Sequence, residues 1–338
     1  MEAERNCTKL KASDWQKDMQ SSCRSSAELT HTRDISTEFI SANTPFQMLI
    51  PQTFLKEIKL SDKNDPLLKQ VLPTTEEYLS HNSESSDPVG DLKASEGNGI
   101  IHKYPGRVLL VTTGACAIHC RYCFRKDFPY NALLAAKNNW KSSVQYLMNH
   151  PEVHEVILSG GDPLTLSTVK LQQLTDQLSK IPHIQTIRIH TRIPTVLPSR
   201  INAAFLTWLK SLSVNTVMVI HTNHANELTE SSRVVLRDIA TCDCLILNQS
   251  VLLNGVNDSF EALKELSLKL HKQGVLPYYL HQLDKAKGTQ HFSVSDNKAL
   301  ELMKHLRENL PGYLVPKLVR EIAGEKSKTP IGLKKQHE

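Results

Sequence analysis

The chain has no apolar run approaching the ~20 residues needed to cross a bilayer, and no apolar signal segment at its start. Neither a membrane-spanning nor an exported protein is expected, and a cytoplasmic location is. One-sided charge is missing too: 40 Lys and Arg against 35 Asp and Glu leave +5 over 338 residues, too little to imply a nucleic-acid partner. Cysteine is sparse, with seven in all, which without an export signal argues for reduced thiols rather than a disulfide framework. Cys7, Cys23, Cys242 and Cys244 lie far from the remaining three and make no second finger-like pair. A structural zinc site usually takes its four ligands as two such pairs. Hydrophobic residues at 40% and charged residues at 22% suit a globular protein with room for one barrel-sized domain and an N-terminal extension.

The other three cysteines stand together. Cys116, Cys120 and Cys123 form a Cys-x3-Cys-x2-Cys run directly after the β-rich stretch 107–113. Three thiolates on one short loop can bind three irons of a cubane iron–sulfur cluster and leave the fourth without a protein ligand. An iron with an open site can act as a catalyst. Zinc is the main alternative, although only His119 lies near enough in sequence to add a fourth ligand.

Around this loop the pattern of the chain changes. Residues 1–100 are polar and irregular with short amphipathic pieces, and 80–99 reads as a long turn or linker with little to bury. From residue 101 to 322 strand-like and helix-like segments alternate, with strands expected at 107–113, 153–159, 184–190, 216–221, 244–251, 275–282 and 313–319. The clearest helices are expected at 169–181, 260–273 and 298–310. Such alternation specifies an α/β fold with a parallel sheet, expected as a complete or partial (β/α) barrel, with a doubly wound open sheet as the alternative. In barrels the chemistry gathers at the C-terminal strand ends. Polar clusters fall at those ends: the cysteines, Ser159-Gly160-Gly161-Asp162-Pro163, His190-Thr191-Arg192, His221-Thr222-Asn223-His224 and Asn248-Gln249-Ser250. The two glycines allow a close backbone approach, and Asp162 also fits a plain helix cap. Residues 323–338 form a last loop and tail whose lysines, Lys326 and Lys328 among them, are either solvated or able to form an aldimine with pyridoxal phosphate.

The cysteine spacing, with Tyr122 before the last cysteine, resembles the signature loop of the radical S-adenosylmethionine superfamily. That resemblance implies a [4Fe-4S] cluster on Cys116, Cys120 and Cys123 whose open iron chelates S-adenosylmethionine. Tyr122 would lie against the adenine, and Gly160, Gly161 and Asp162 would receive the methionine ammonium. The ordered set Tyr104-Pro-Gly-Arg-Val-Leu, 116–125, Leu158-Ser-Gly-Gly-Asp, 248–258 and Pro277-Tyr-Tyr-Leu is similar to the lysine 2,3-aminomutase family over roughly residues 95–332. By that resemblance Lys328 is the catalytic lysine carrying pyridoxal 5′-phosphate, and Arg107, Lys103 and Gln249 surround that cofactor. Arg125 would bind the substrate carboxylate, with Asp284 and Glu321 on the distal ammonium of L-lysine; the usual second acid is an aspartate.

The resemblance further implies an isomerase that makes (R)-β-lysine and draws on an external one-electron reductant. The short bacterial branch of the family supplies β-lysylation of translation elongation factor P, which a separate ligase completes. Clostridial-type members continue past the pyridoxal lysine into a cysteine-bearing segment that binds zinc at a subunit interface. Here ten residues follow Lys328 and no cysteine follows Cys244, so that zinc site is not expected, and a homo-oligomer is left open. Two other readings stay open: a glutamate-type aminomutase or one acting on protein-bound lysine, and an iron–sulfur protein without turnover.

Overall fold

A computed structural model describes residues 14–32, 46–79, 83–136 and 140–332. Four short helices, α1 (Asp14–Gln20), α2 (Ser26–Thr32), α3 (Gln52–Leu55) and α4 (Pro66–Lys69), precede the strands β1 (Ser95–Gly97), β2 (Ile100–Tyr104) and β3 (Arg107–Thr113). The alternating part follows as α5 (Lys141–Met148), β4 (Glu155–Gly160), α6 (Thr168–Leu178), β5 (Thr186–Thr191), α7 (Ile193–Val196), α8 (Ala203–Lys210), β6 (Asn215–Ile220) and α9 (Glu230–Ala240). It continues with β7 (Cys244–Val251), α10 (Phe260–Lys272), β8 (Leu276–His281), α11 (Asp296–Asn309), β9 (Lys317–Arg320) and β10 (Thr329–Pro330).

Spatial order in the sheet is chain order, β1 to β10. Pairs from β3 to β9 are parallel, and the pairs at the two margins, β1–β2, β2–β3 and β9–β10, are antiparallel. A doubly wound sheet reverses its strand order at a switch point. Here the order never reverses, so successive crossovers travel the same way and cover one face. Among the described residues no pairing joins the two margins; the fold is a partial (β/α) barrel.

Strand side chains alternate between two environments, as a pleated backbone requires. Val108, Leu110, Val156, Leu158, Ile187 and Ile189 join one apolar cluster with Leu171, Leu174, Phe205 and Trp208 of the helices. Their neighbours Leu109, Ile157, Ser159, Arg188 and His190 face a cavity instead. The helices follow from local chemistry. Ser167 caps α6 by accepting from Lys170 N, and Leu171, Leu174, Thr175 and Leu178 make its buried stripe at helical spacing. Ser259 and Ser295 cap α10 and α11 in the same way.

Two expectations need correction. The last expected strand, 313–319, is shorter: Gly312–Leu314 is a 3-10 turn and the strand is Lys317–Arg320, because Pro316 has no N–H to give to a ladder. The stretch 80–99 is not an idle linker over its described residues. Val89 and Asp91 are buried, Ser85 N donates to Lys285 O at 2.8 Å, and Asp87 accepts from Asp91 N at 2.8 Å and Leu92 N at 3.1 Å. Its polar residues close a turn on the barrel. Phe54, Leu55, Leu67, Leu68 and Val71 of the N-terminal region also belong to the apolar cluster of the barrel, so the two regions share one core.

Candidate active site

A cavity of about 400 Å³ lies inside the strands, lined by the inward-facing side chains and by residues of the first and last loops. Leu109, Ile157 and Val251 give it apolar wall, and Asp91, Lys103, Arg107, Arg125, Asp284, Glu321 and Lys328 give it charge. Several of these charges form one chain of contacts. Arg125 Nε donates to Asp91 Oδ2 at 2.7 Å and Arg125 Nη1 to Ser159 Oγ at 3.2 Å. Lys103 Nζ lies 2.6 Å from Asp91 Oδ1 and 3.3 Å from Glu321 Oε1. The short Lys103–Asp91 contact is an ion pair. Lys328 Nζ donates to Glu321 Oε2 at 2.6 Å, and Tyr104 Oη to Glu321 Oε1 at 2.7 Å.

The two acids expected to meet an ammonium differ in electrostatics. Burial opposes ionisation of Glu321, but Lys328 and Lys103 more than offset it and hold its carboxyl at about 2. Burial pushes Asp284 up to about 7, the negative Glu321 adds to the rise, and Lys328 and Lys103 counter only part of it. Asp284 is therefore a carboxyl short of a cation. The hairpin β9–β10, with Thr329 opposite Arg320, turns Lys328 back onto Glu321. Lys326, by contrast, is exposed and Lys328 lines the cavity.

The cysteine loop leaves β3 and docks on the end of β4. Gly161 N donates to Thr113 O at 2.7 Å and Asp162 N to Ala115 O at 2.8 Å. A Cβ on Gly161 would stand 2.3 Å from Ala115 O, and Gly160 has φ +115 with its Cβ position 2.4 Å from Thr113 O. The backbone that the glycines admit is thus that of the cysteine loop itself. The Asp162 carboxylate is turned into protein: it accepts from Thr191 Oγ1 at 2.8 and 2.9 Å, Arg192 N at 2.8 Å and Leu164 N at 3.1 Å. It caps the turn Pro163–Thr165 and ties β4 to β5. Tyr122 packs edge-on against Phe292, and its hydroxyl meets Arg192 Nη1 at 2.9 Å and Asn223 Nδ2 at 2.6 Å. Arg192, whose other nitrogen donates to the buried Glu227 at 2.6 Å, also reaches Cys120 Sγ at 2.8 Å.

The donor sets fit the expected groups. Among the described residues, no three His, Cys, Asp or Glu side chains converge on a single metal position, as zinc would require. In a cubane each thiolate takes its own iron, so Cys116, Cys120 and Cys123 need not converge. Burial pushes the Cys123 thiol up to about 11, with Cys120 adding to it, and raises the Cys116 thiol as well. Three gathered thiolates therefore call for a cationic partner such as an iron core. For a polar aromatic cofactor, the cavity wall carries the buried Nε2 atoms of His190, His221 and His281, none with a hydrogen-bond partner. Arg107 and Gln249 line the same wall. Lys103 is less available to a phosphate, since its ammonium is spread over Asp91, Glu321 and Val89 O.

The cavity gathers Lys103, Arg107, Arg125, Gln249, Asp284, Glu321 and Lys328 from loops and strands 225 positions apart (328 − 103). Tyr122, Gly160, Gly161 and Asp162 sit outside its lining, beside the cysteine loop. Asp91, Arg188, His281 and the Arg192–Glu227 pair were not singled out by sequence reasoning. His190, His221 and Arg192 lay in the polar strand-end clusters, which signal location but no role. Asp91 carried no signal, lying in a polar stretch without periodicity.

Known proteins agree with this picture. The profile of a 4Fe-4S single cluster domain family matches residues 97–195, which include the three cysteines. The chain is 44% identical over 290 residues to the L-lysine 2,3-aminomutase of Haemophilus influenzae, covering 86% of each chain. It is 44% identical over 293 residues to that of Escherichia coli, covering 87% of this chain and 85% of the other. Against the L-lysine 2,3-aminomutase of Clostridium subterminale the identity is 37% over 289 residues, with 84% and 68% covered. A partial (β/α) barrel, a three-cysteine loop within the matched 4Fe-4S region and a charged cavity, together with similarity at this level over most of both chains, place the protein as an isomerase that belongs to the radical S-adenosylmethionine lysine 2,3-aminomutase family.

Proposed function

We propose that the protein converts (S)-α-lysine into (R)-β-lysine, using a [4Fe-4S] cluster, S-adenosylmethionine and pyridoxal 5′-phosphate. The observation that carries this reading is that one cavity of about 400 Å³ is lined by a guanidinium, Arg125, and by a half-buried carboxyl short of a cation, Asp284. A substrate with a carboxylate and a distal ammonium answers both. A glutamate-type substrate would bring a second carboxylate to the acids and is disfavoured.

Cys116, Cys120 and Cys123 would hold the cluster, with Tyr122 and the 160–162 turn bordering S-adenosylmethionine. Lys328 would anchor pyridoxal phosphate, with Arg107, Lys103 and Gln249 around it. When bound, these groups supply the one-electron hydrogen abstraction and the electron delocalisation that moving an unactivated amine demands. The chain's own part is placement. Arg125 presents its fork to the substrate carboxylate. Asp284 and Glu321 receive the ε-ammonium, and Glu321 must give up Lys328 to do so. Holding both ends fixes C2 and C3 against the cofactors, while Leu109, Ile157 and Val251 exclude water from the aliphatic segment.

In line with the resemblance to the short bacterial branch, the product would serve β-lysylation of translation elongation factor P by a separate ligase, with an external one-electron reductant feeding the cluster. Anaerobic assay of the reconstituted protein with lysine, dithionite, S-adenosylmethionine and pyridoxal phosphate should yield β-lysine. A full cluster without that product would sink the proposal. Mass spectrometry of elongation factor P from cells with and without this protein tests the destination; an unchanged modification would refute it.

A further inference from the structure

We propose that Asp91 is a positioning residue that sets the preference of the cavity for a substrate with a free carboxylate, acting through Arg125. The inference rests on Arg125 being the carboxylate receptor. Asp91 is 2% exposed, and its Oδ2 takes Arg125 Nε at 2.7 Å while Ser159 Oγ takes Nη1 at 3.2 Å. A guanidinium offers a planar fork. With Nε held by Asp91 and Nη1 donating to Ser159, Nη2 is the terminal nitrogen these two partners leave for a ligand. Lys103, 2.6 Å from Asp91 Oδ1, restores the charge that Asp91 removes, so the trio keeps one net positive charge.

Asp91 is itself held firmly. Its N–H is bonded to Asp87 at 2.8 Å, and the preceding Gly90, at φ +70, packs so closely that a Cβ would stand 2.9 Å from the Ala323 side chain. Ala323 belongs to the loop that carries Glu321 and Lys328. Through Lys103, which reaches Glu321 at 3.3 Å, Asp91 connects the carboxylate receptor with the ammonium receptor. The turn at 87–91 therefore spaces the two ends of the site. A buried carboxylate with these partners is not needed for packing, since apolar residues fill such positions at less desolvation cost.

The test compares wild type, Asp91→Ala and Asp91→Glu in the anaerobically reconstituted enzyme, measuring KM and kcat for lysine and the inhibition constant of lysinamide, which lacks the carboxylate. Asp91→Ala should raise KM for lysine about tenfold or more, the worth of one charge-assisted hydrogen bond, with a much smaller change in kcat and an unchanged lysinamide constant. Asp91→Glu should recover part of the loss. Iron content per chain reports folding separately. Equal losses for lysine and lysinamide, or an unchanged lysine KM, overturn the inference. A wild-type enzyme that does not discriminate lysine from lysinamide overturns the Arg125 assignment along with it.

Discussion

Asp284 and Glu321 are half-buried carboxyls of one cavity pushed in opposite directions, Asp284 up to about 7 and Glu321 down to about 2. A carboxyl whose folded pKa is raised contributes stability that is complete below its unfolded value, ~3.9, and is lost as pH rises through the folded value. Asp284→Asn should therefore gain thermal stability over wild type progressively from about pH 4 to pH 7 in the substrate-free protein. Lysine affinity should rise over the upper part of that window, as Asp284 ionises, and stay low and flat in the variant. A pH-independent affinity in the wild type would contradict this. At Lys328 the expected result is spectroscopic. Lys328→Ala should lose the visible absorbance of bound pyridoxal phosphate and keep that of the cluster; if the first survives, the anchor moves to Lys326.

The strand-end turns decide whether the loops can hold these groups. Gly161 sits where the cysteine loop crosses the end of β4, with room for no side chain because Ala115 O would be 2.3 Å from its Cβ. Gly161→Ala should force the loop outward at a cost of about 1–3 kcal/mol, lowering the iron bound per chain after anaerobic reconstitution and the melting temperature. Circular dichroism should be little changed, since the clash adjoins only the last β3–β4 pair, Thr113–Gly160, and leaves the other strand pairs untouched. Full iron loading in that variant would show that the loop does not need this approach. The β9–β10 hairpin does a similar service for Lys328, because antiparallel pairing brings residue 329 back beside residue 320.

Across the whole molecule, the N-terminal helices and the barrel share one apolar cluster, in which Leu67 is fully buried. Leu67→Ala should cost about 2–5 kcal/mol and shift a single calorimetric transition. A separate low-temperature transition, moved alone, would show that residues before the sheet fold apart. The sequence was legible where a repeating local pattern met a strong chemical constraint: the alternation of period 2 and period 3.6 in β3, β7, α6 and α10, and the spacing of Cys116, Cys120 and Cys123. It was illegible at Asp91, which has neither periodicity nor motif, and at the true partners of the glycines at 160 and 161. By itself the sequence determined the parallel α/β architecture, the cysteine spacing and the family, because hydrophobic periodicity and thiol spacing are properties of neighbouring residues. Only the tertiary structure decided that Lys328 rather than Lys326 lines the cavity, and that Asp91, Lys103 and Glu321 link its two ends. Those outcomes depend on desolvation and charge pairing among residues hundreds of positions apart, which no local pattern records.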